Sequence, residues 1–168
     1  MIATKETIYA VDEANKTISV KRDFDASPEM VWKAWTQPDL LDQWWAPKPW
    51  KAVTESMDFR EGGKWLYYMQ GPEGERHWSF MNYKTVNPIT SNSGVDGLCH
   101  DKGNVNNDMP SQNWQLNFGK SGNGTKVDIL ITFKSLKDLN TLVEMGFKEG
   151  FAMGHQNLDE LLAKQKAK

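Results

Sequence analysis

Apolar residues recur at two different periods along the chain, and the two periods separate strands from helices. Strict alternation of apolar and polar residues is typical of a strand with one buried face. It predicts a short first strand at Ile8–Val11. The further strands predicted by the same alternation are Ile18–Phe24, Lys51–Phe59, Lys64–Gln70, Arg76–Val86, Gln112–Phe118 and Thr125–Phe133. Glycine-rich turns separate several of these runs, which favours an antiparallel sheet.

Two short helices are predicted between the first two long strands. Ser27, Pro28 and Glu29 supply an N-cap residue, a proline at the first helical position and an acid in the first turn. This pattern predicts a helix over Pro28–Trp35. Pro38 opens a second helix, which must end before Pro47 because proline breaks a helix interior.

A long final helix is predicted from Ser135 to Lys164, and it carries three glycines spaced four residues apart. Its apolar face comprises Leu139, Val143, Phe147, Leu158 and Leu161. At about 100° per residue, Gly146, Gly150 and Gly154 form a stripe on or beside that face. Each glycine in a helix interior costs about 1 kcal/mol relative to alanine. The stripe therefore requires a reason, either the close approach of another backbone or empty volume beside the helix.

These elements predict an α+β fold in which a curved antiparallel sheet wraps around the long C-terminal helix. A sheet with one wet face must cover its other face, and only the final helix is long enough to do so. We expect a single domain over residues 16–168, with residues 1–15 as an N-terminal tail or a short extra strand. A cavity is expected wherever side chains do not fill the space between sheet and helix.

The stretch from Thr90 to Ser111 departs from the alternating pattern. It is rich in Asn, Gly, Ser and Asp, and only Val95 and Leu98 indicate a strand. A polar connection of this length in a compact domain is often functional. We therefore predict a degenerate strand and a mobile flap near one end of the sheet.

Composition narrows the classes of protein. The chain has 168 residues, 25% charged residues and a formal net charge of −2, so no basic nucleic-acid surface is indicated. The single cysteine, Cys99, excludes an intramolecular disulfide, and the N-terminal residues do not resemble a signal peptide. A cytoplasmic protein is expected. Charged residues such as Lys148 and Glu149 interrupt the final helix, which argues against stable membrane insertion.

Few residues form a candidate catalytic constellation. Glu55 shares the phase of the apolar residues in its strand and could act as a buried acid or base; alternatively the strand lies at an edge or bulges, and Glu55 is paired or solvated. His77 is a second candidate proton shuttle, with Tyr67 nearby. Cys99 and His100 point in opposite directions on a strand and have no partners at zinc-site spacing. No metal and no cofactor are expected.

Four motifs, in order, resemble the START-like (SRPBCC) superfamily. They are Phe24-x-Ala26-Ser27-Pro28-x-x-Val31-Trp32-x-Ala34-Trp35-Thr36-x-Pro38, then Trp44-Trp45, then Asp58-x-Arg60-x-Gly62-Gly63-x-Trp65, and lastly Gly146-Phe147-x-x-Gly150-Phe151 with Leu158 and Leu161-Leu162. The nearest branch is similar to the C-terminal domain of the heat-shock-protein-90 ATPase activator. The resemblance implies a helix-grip fold around a hydrophobic cavity. Members of the superfamily bind lipids, hormones or polyketides, and some are cyclases.

The leading hypothesis is non-catalytic binding of an apolar or aromatic small molecule. The residues expected to line the ligand site are Trp44, Trp65, Tyr67, Trp78, Phe80, Trp114, Phe147, Gly150, Phe151 and Gly154. One alternative is a cyclase or hydrolase-like enzyme of the same fold that uses a cavity carboxylate or histidine. A chaperone partner is a further alternative, which rests on analogy with the ATPase activator alone. The pattern is also compatible with a homodimer.

Overall fold

A computed structural model describes residues 6–102, 104–106, 109 and 111–167 of the chain. The strands of this part are β1 (Ile8–Asp12), β2 (Thr17–Phe24), β3 (Lys51–Met57), β4 (Lys64–Gln70), β5 (Arg76–Asn87), β6 (Ser91–Asp101), β7 (Asn104–Val105), β8 (Gln112–Ser121) and β9 (Gly124–Phe133). The helices are α1 (Pro28–Thr36), α2 (Pro38–Trp44), α3 (Leu136–Glu144) and α4 (Phe147–Lys166).

The strands form one antiparallel sheet in the order β1-β2-β9-β8-β6-β5-β4-β3, with β7 paired to β6. The helices α1 and α2 lie between β2 and β3, and α4 covers one face of the sheet. The predicted helix-grip fold is therefore confirmed. The core forms where inward-facing residues of β9, such as Ile129 and Ile131, meet Leu158 and Leu162 of α4, all of them at most 3% exposed.

The helix starts follow the capping signals in the sequence. The Ser27 hydroxyl accepts a hydrogen bond from the backbone N–H of Met30 at 3.3 Å, at the start of α1. The Ser135 hydroxyl accepts one from the N–H of Asp138 at 3.1 Å, at the start of α3. Each cap satisfies a backbone donor that has no partner within its helix.

The prediction of one continuous final helix is wrong, because the chain breaks at Gly146. This glycine has a φ of 85° and separates α3 from α4. A left-handed residue ends a helix, and glycine adopts it without the steric cost of a side chain. The predicted apolar face does not continue across the break, and Val143 near the end of α3 is 38% exposed.

The prediction of a degenerate strand in Thr90–Ser111 is also wrong, because β6 is an eleven-residue strand paired with both β5 and β8. Its polar, glycine-containing sequence has a packing reason. A Cβ atom on Gly94 would lie 2.5 Å from the carbonyl oxygen of Asn82, and one on Gly97 would lie 2.9 Å from the Phe80 ring. The predicted mobile flap falls partly on residues 103, 107, 108 and 110, which lie outside the described residues.

Helix α4 is held against the C-terminal end of α2 by a backbone contact and a buried amide. A Cβ atom on Gly154 would lie 3.4 Å from the carbonyl oxygen of Trp44 and 3.5 Å from that of Trp45. The side-chain amide of Asn157 donates to the carbonyl oxygens of Trp44 at 3.4 Å and Ala46 at 3.1 Å. Asn157 thereby satisfies carbonyl groups that the end of α2 leaves without helical partners.

We predict that Asn157→Leu destabilises the protein by about 1–3 kcal/mol, because it keeps the side-chain size but leaves buried carbonyl oxygens unpaired. Chemical denaturation followed by tryptophan fluorescence measures the effect. The matched control is Gln156→Leu on the exposed side of the same helix turn, which is expected to stay within about 0.5 kcal/mol of the wild type. Equal stabilities for the two variants would show that the amide does not hold the two helices together.

Candidate functional site

A cavity of about 490 Å³ lies between the sheet and the N-terminal half of α4. Strands β4, β5, β6 and β8 form one wall, and α3, α4 and the segment after α2 form the other. The lining residues are Trp45, Pro47, Tyr67, Met69, Arg76, His77, Trp78, Ser79, Asp96, Gly97, Leu98, Cys99, His100, Asn106, Met109, Gln112, Trp114, Leu142, Met145, Phe147, Gly150 and Phe151. The wall is mostly apolar, with a few polar groups.

The three glycines of the final segment have three different roles. Gly146 ends α3, as described above. Gly154 admits the backbone at the end of α2. Gly150 borders the cavity, where the nearest atom to an added Cβ would be Pro47 Cγ at 3.7 Å. Both alternatives raised by the sequence therefore apply, with close backbone approach at Gly154 and empty volume at Gly150.

Aromatic rings in contact with one another form the inner end of the cavity. The ring centroids of Trp45 and Trp114 lie 6.3 Å apart, and each lies 5.9 Å from that of Phe151. The indole N–H of Trp45 donates to the Tyr67 hydroxyl at 3.0 Å. Burial raises the pKa of Tyr67, so its phenol stays protonated at neutral pH. The sequence analysis names Trp44 as a lining residue, whereas the structure places its neighbour Trp45 at the cavity.

Six of the residues predicted to line a ligand site border this cavity. They are Tyr67, Trp78, Trp114, Phe147, Gly150 and Phe151. The ring of Trp78 packs against that of Tyr68, with centroids 4.7 Å apart, and against the small cluster formed by Leu66, Phe80 and Cys99. Trp78 therefore borders the cavity while its indole belongs to another cluster.

The other four predicted lining residues lie away from the cavity. Trp44 is 1% exposed in the core and donates its indole N–H to the carbonyl oxygen of Ala34 at 2.9 Å. Trp65 stacks behind Tyr67 at 4.0 Å. Phe80 points to the opposite face of the sheet, and Gly154 is covered by α2. Residue type alone does not distinguish a ring that faces empty volume from one that packs in the core.

The two candidate proton shuttles are placed very differently. Glu55 lies at a register shift between Thr54 and Ser56 on the edge strand β3, and it forms an ion pair with Lys102. The bulge turns Glu55 outward, so it is exposed and is not a cavity carboxylate. His77 borders the cavity but is exposed at its mouth, where its ring packs against Trp50 at 5.0 Å.

The carboxylate that does border the cavity is Asp96 on β6, which sequence reasoning missed. It lies within the polar stretch interpreted as a degenerate strand and a flap, where no clear apolar alternation marks an inward face. Burial raises the pKa of Asp96 to about 7, and the nearby indole N–H of Trp114 and backbone N–H of Gln112 partly oppose that increase. Asp96 Oδ1 and Trp114 Nε1 are both buried without a hydrogen-bond partner in the described part of the chain. The indole N–H is therefore near the carboxyl group but does not form a hydrogen bond with it.

His155 on α4 is a second buried titratable group, but it is enclosed by the core. Its Nδ1 lies 3.0 Å from the Thr7 hydroxyl, and its ring meets those of Phe24 and Phe151 at 5.5 and 4.3 Å. Burial lowers the pKa of His155 to about 3, and the charge of Arg22 adds to this effect. The imidazole is therefore neutral over the physiological range.

Among the described residues, no group of three or more histidine, cysteine, aspartate or glutamate side chains could hold a metal ion. No helix in the described part of the chain is long and apolar enough to cross a membrane.

A curved antiparallel sheet, a gripped C-terminal helix and an apolar cavity between them define a START-like protein. Residues 25–163 match the family described as activator of Hsp90 ATPase homolog 1-like protein. The match covers most of the chain, so the protein belongs to this family. No curated protein matches the chain.

Solved structures share the fold over nearly the whole chain. A solution structure from Arthrobacter aurescens is 27% identical, with a TM-score of 0.88 over 94% of this chain and 91% of that one. A crystal structure from Mycobacterium smegmatis is 26% identical, with a TM-score of 0.87 over 94% and 97%. A third, from Nitrosomonas europaea, is 25% identical, with a TM-score of 0.80 over 94% and 100%.

Asp96 and His155 predict opposite pH effects on stability. The pKa of Asp96 rises from 3.8 to about 7 on folding, so its contribution to stability is lost as pH rises between these values. The pKa of His155 falls from 6.5 to about 3, so its contribution is lost as pH falls between these values. Between pH 4 and 6.5 the two effects largely cancel in the wild type.

A variant that lacks one of the two groups should show the pH effect of the other. As pH rises from 4.5 to 6.5, the free energy of unfolding of Asp96→Asn is expected to increase relative to that of the wild type, by up to about 1.4 kcal/mol per pH unit. His155→Gln is expected to change in the opposite direction. Urea unfolding at several pH values measures both, and the shared surface carboxylates cancel in the comparison. Parallel pH profiles for all three proteins would show that neither group titrates differently on folding.

Proposed function

We propose that the protein binds an apolar or aromatic small molecule in the cavity between the sheet and α4, without catalysing a reaction. The observation that carries the proposal is the cavity itself. Its volume of about 490 Å³ lies within the range of about 300–1,000 Å³ common for small-molecule sites. Its wall combines aromatic rings with a few polar groups, which is the usual composition of such sites.

The position of Gly150 supports this function over a packing role for the whole helix. A glycine in the interior of α4 costs about 1 kcal/mol relative to alanine, and no close backbone requires it here. A larger side chain at this position would project into the cavity beside Phe147 and Phe151. The absence of a side chain therefore preserves volume that a ligand could occupy.

The test is a pair of substitutions at Gly150. Gly150→Leu places a side chain in the cavity and is expected to weaken binding of prodan, a neutral naphthalene dye, by at least about tenfold. Gly150→Ala is the matched control, because its methyl group has room beside Pro47 Cγ; it should bind nearly as the wild type does and gain up to about 1 kcal/mol of stability. Dye fluorescence titration and thermal unfolding provide the two measurements.

Two outcomes would contradict this proposal. The first is the absence of any dye binding to the wild-type protein. The second is equal binding by the wild type, Gly150→Ala and Gly150→Leu, which would place the dye elsewhere. Native mass spectrometry after gentle purification provides an independent readout, since a bound molecule would add mass to the wild type and not to Gly150→Leu.

A second candidate function is stimulation of the heat-shock-protein-90 ATPase, and the description of the matching family favours it. If the chain acts in this way, adding it to the chaperone should raise the rate of ATP hydrolysis. Gly150→Leu should stimulate as well as the wild type, because a partner-binding surface does not require the cavity. An unchanged hydrolysis rate at saturating protein would contradict this function.

A further inference from the structure

Asp96 presents a carboxyl group to an apolar cavity, and no cation among the described residues forms an ion pair with it. Its Cα pairs with those of Met81 and Gln112 on the neighbouring strands, so it lies in the interior of the sheet. No described side chain forms a hydrogen bond to it, and its Oδ1 is buried without a partner. A carboxylate in such surroundings is unfavourable unless another charge or several donors approach it.

The described part of the chain does not supply that charge from the cavity wall. The lining residues in the described part of the chain include no lysine, and Arg76 is the only arginine among them. The guanidinium of Arg76 lies over the ring of Tyr68, 4.6 Å from its centroid. Tyr68 neighbours Tyr67 on β4, so the two rings lie on opposite faces of the sheet. Arg76 therefore borders the cavity while its guanidinium packs on the face opposite to Asp96.

The aromatic rings beside Asp96 favour a positive ligand over a negative one. Trp45, Tyr67, Trp114 and Phe151 border the same cavity. The faces of aromatic rings carry negative electrostatic potential and attract organic cations. A carboxylate and several ring faces in one apolar site are a combination that recognises ammonium groups. An anionic ligand would meet repulsion from both.

We propose that the cavity is selective for an organic amine, with the protonated nitrogen paired to the Asp96 carboxylate and the apolar body against Trp114 and Phe151. This inference rests on the proposed small-molecule function and names the class of ligand. A neutral alcohol of the same shape would fill the cavity but form only a hydrogen bond to Asp96. A carboxylic acid of the same shape would be rejected.

The test uses three ligands with one apolar body: 2-(1-naphthyl)ethylamine, 2-(1-naphthyl)ethanol and 1-naphthylacetic acid. Each is titrated into the wild type, Asp96→Asn and Asp101→Asn at pH 8. Asp101 lies exposed at the end of the same strand, so its variant removes the same charge away from the cavity. For the wild type and Asp101→Asn we expect the amine to bind most tightly and the acid least. In Asp96→Asn, amine affinity should fall about ten- to hundredfold while alcohol affinity changes little.

The pH dependence of amine binding is a second readout. The amine remains protonated below pH 8, so its affinity for the wild type should fall by about tenfold per pH unit below pH 7 as Asp96 becomes protonated. Among the described residues, the other titratable or charged groups bordering the cavity are Tyr67 of β4, Arg76 and His77 of β5, and Cys99 and His100 of β6; the described residues of α3 and α4 contribute none. Asp96→Asn retains all of these, so a pH dependence that disappears in this variant belongs to Asp96.

The outcomes separate this inference from the proposed function. Equal binding of amine and alcohol by the wild type, or an unchanged amine preference in Asp96→Asn, would overturn the amine selectivity and leave the small-molecule site standing. Failure of all three ligands and of prodan to bind the wild type would overturn both. Thermal unfolding of Asp96→Asn confirms that a lost affinity does not reflect a lost fold.

Discussion

The close packing of α4 against the C-terminal end of α2 is the constraint on which the rest of the structure depends. A helix can cover a curved sheet closely only if its neighbours leave room for its backbone. Gly154 has no side chain, so the backbone at the end of α2 can lie close to α4. The side-chain amide of Asn157 donates hydrogen bonds to carbonyl oxygens at the same end of α2. On the next turn, Asp159 accepts two hydrogen bonds from the buried guanidinium of Arg22, at 2.9 and 2.6 Å. These contacts attach the C-terminal part of α4 to both the end of α2 and strand β2 of the sheet.

The cavity follows from where those contacts stop. His155, Leu158 and Leu162, from the middle of α4 onward, are at most 2% exposed, whereas Phe147 and Gly150 in its first turn are only half-buried. The helix is thus close-packed at one end and stands away from the sheet at the other. The break at Gly146 lets α3 turn aside, which contributes Leu142 to the wall instead of extending the packed core. The attachment of α4 at its C-terminal part therefore accounts both for the close-packed core there and for the cavity beside its N-terminal part.

Asp96 and His155 illustrate the difference between these ends. His155 is surrounded by rings and a threonine hydroxyl, so burial keeps it neutral and its role is to fill the core. Asp96 faces open volume, where burial brings its pKa close to neutrality. A group in the first environment has no space to meet a ligand. A group in the second has space on one side, and among the described residues its Oδ1 has no hydrogen-bond partner, which is the physical basis of the amine proposal.

The sequence by itself determined the fold, the strand positions outside Thr90–Ser111, the two short helices and their caps, because periodicity and capping are local properties of consecutive residues. The same local rules favoured one long final helix, since a four-residue spacing of glycines does not reveal which of them adopts a left-handed conformation. They left the direction of Glu55 open, because whether an edge strand contains a bulge depends on its pairing with the neighbouring strand. Only the tertiary structure decided which rings face the cavity and brought Asp96 to its wall. Facing and enclosure depend on pairs of residues far apart in the chain, and no pattern within a single strand records them.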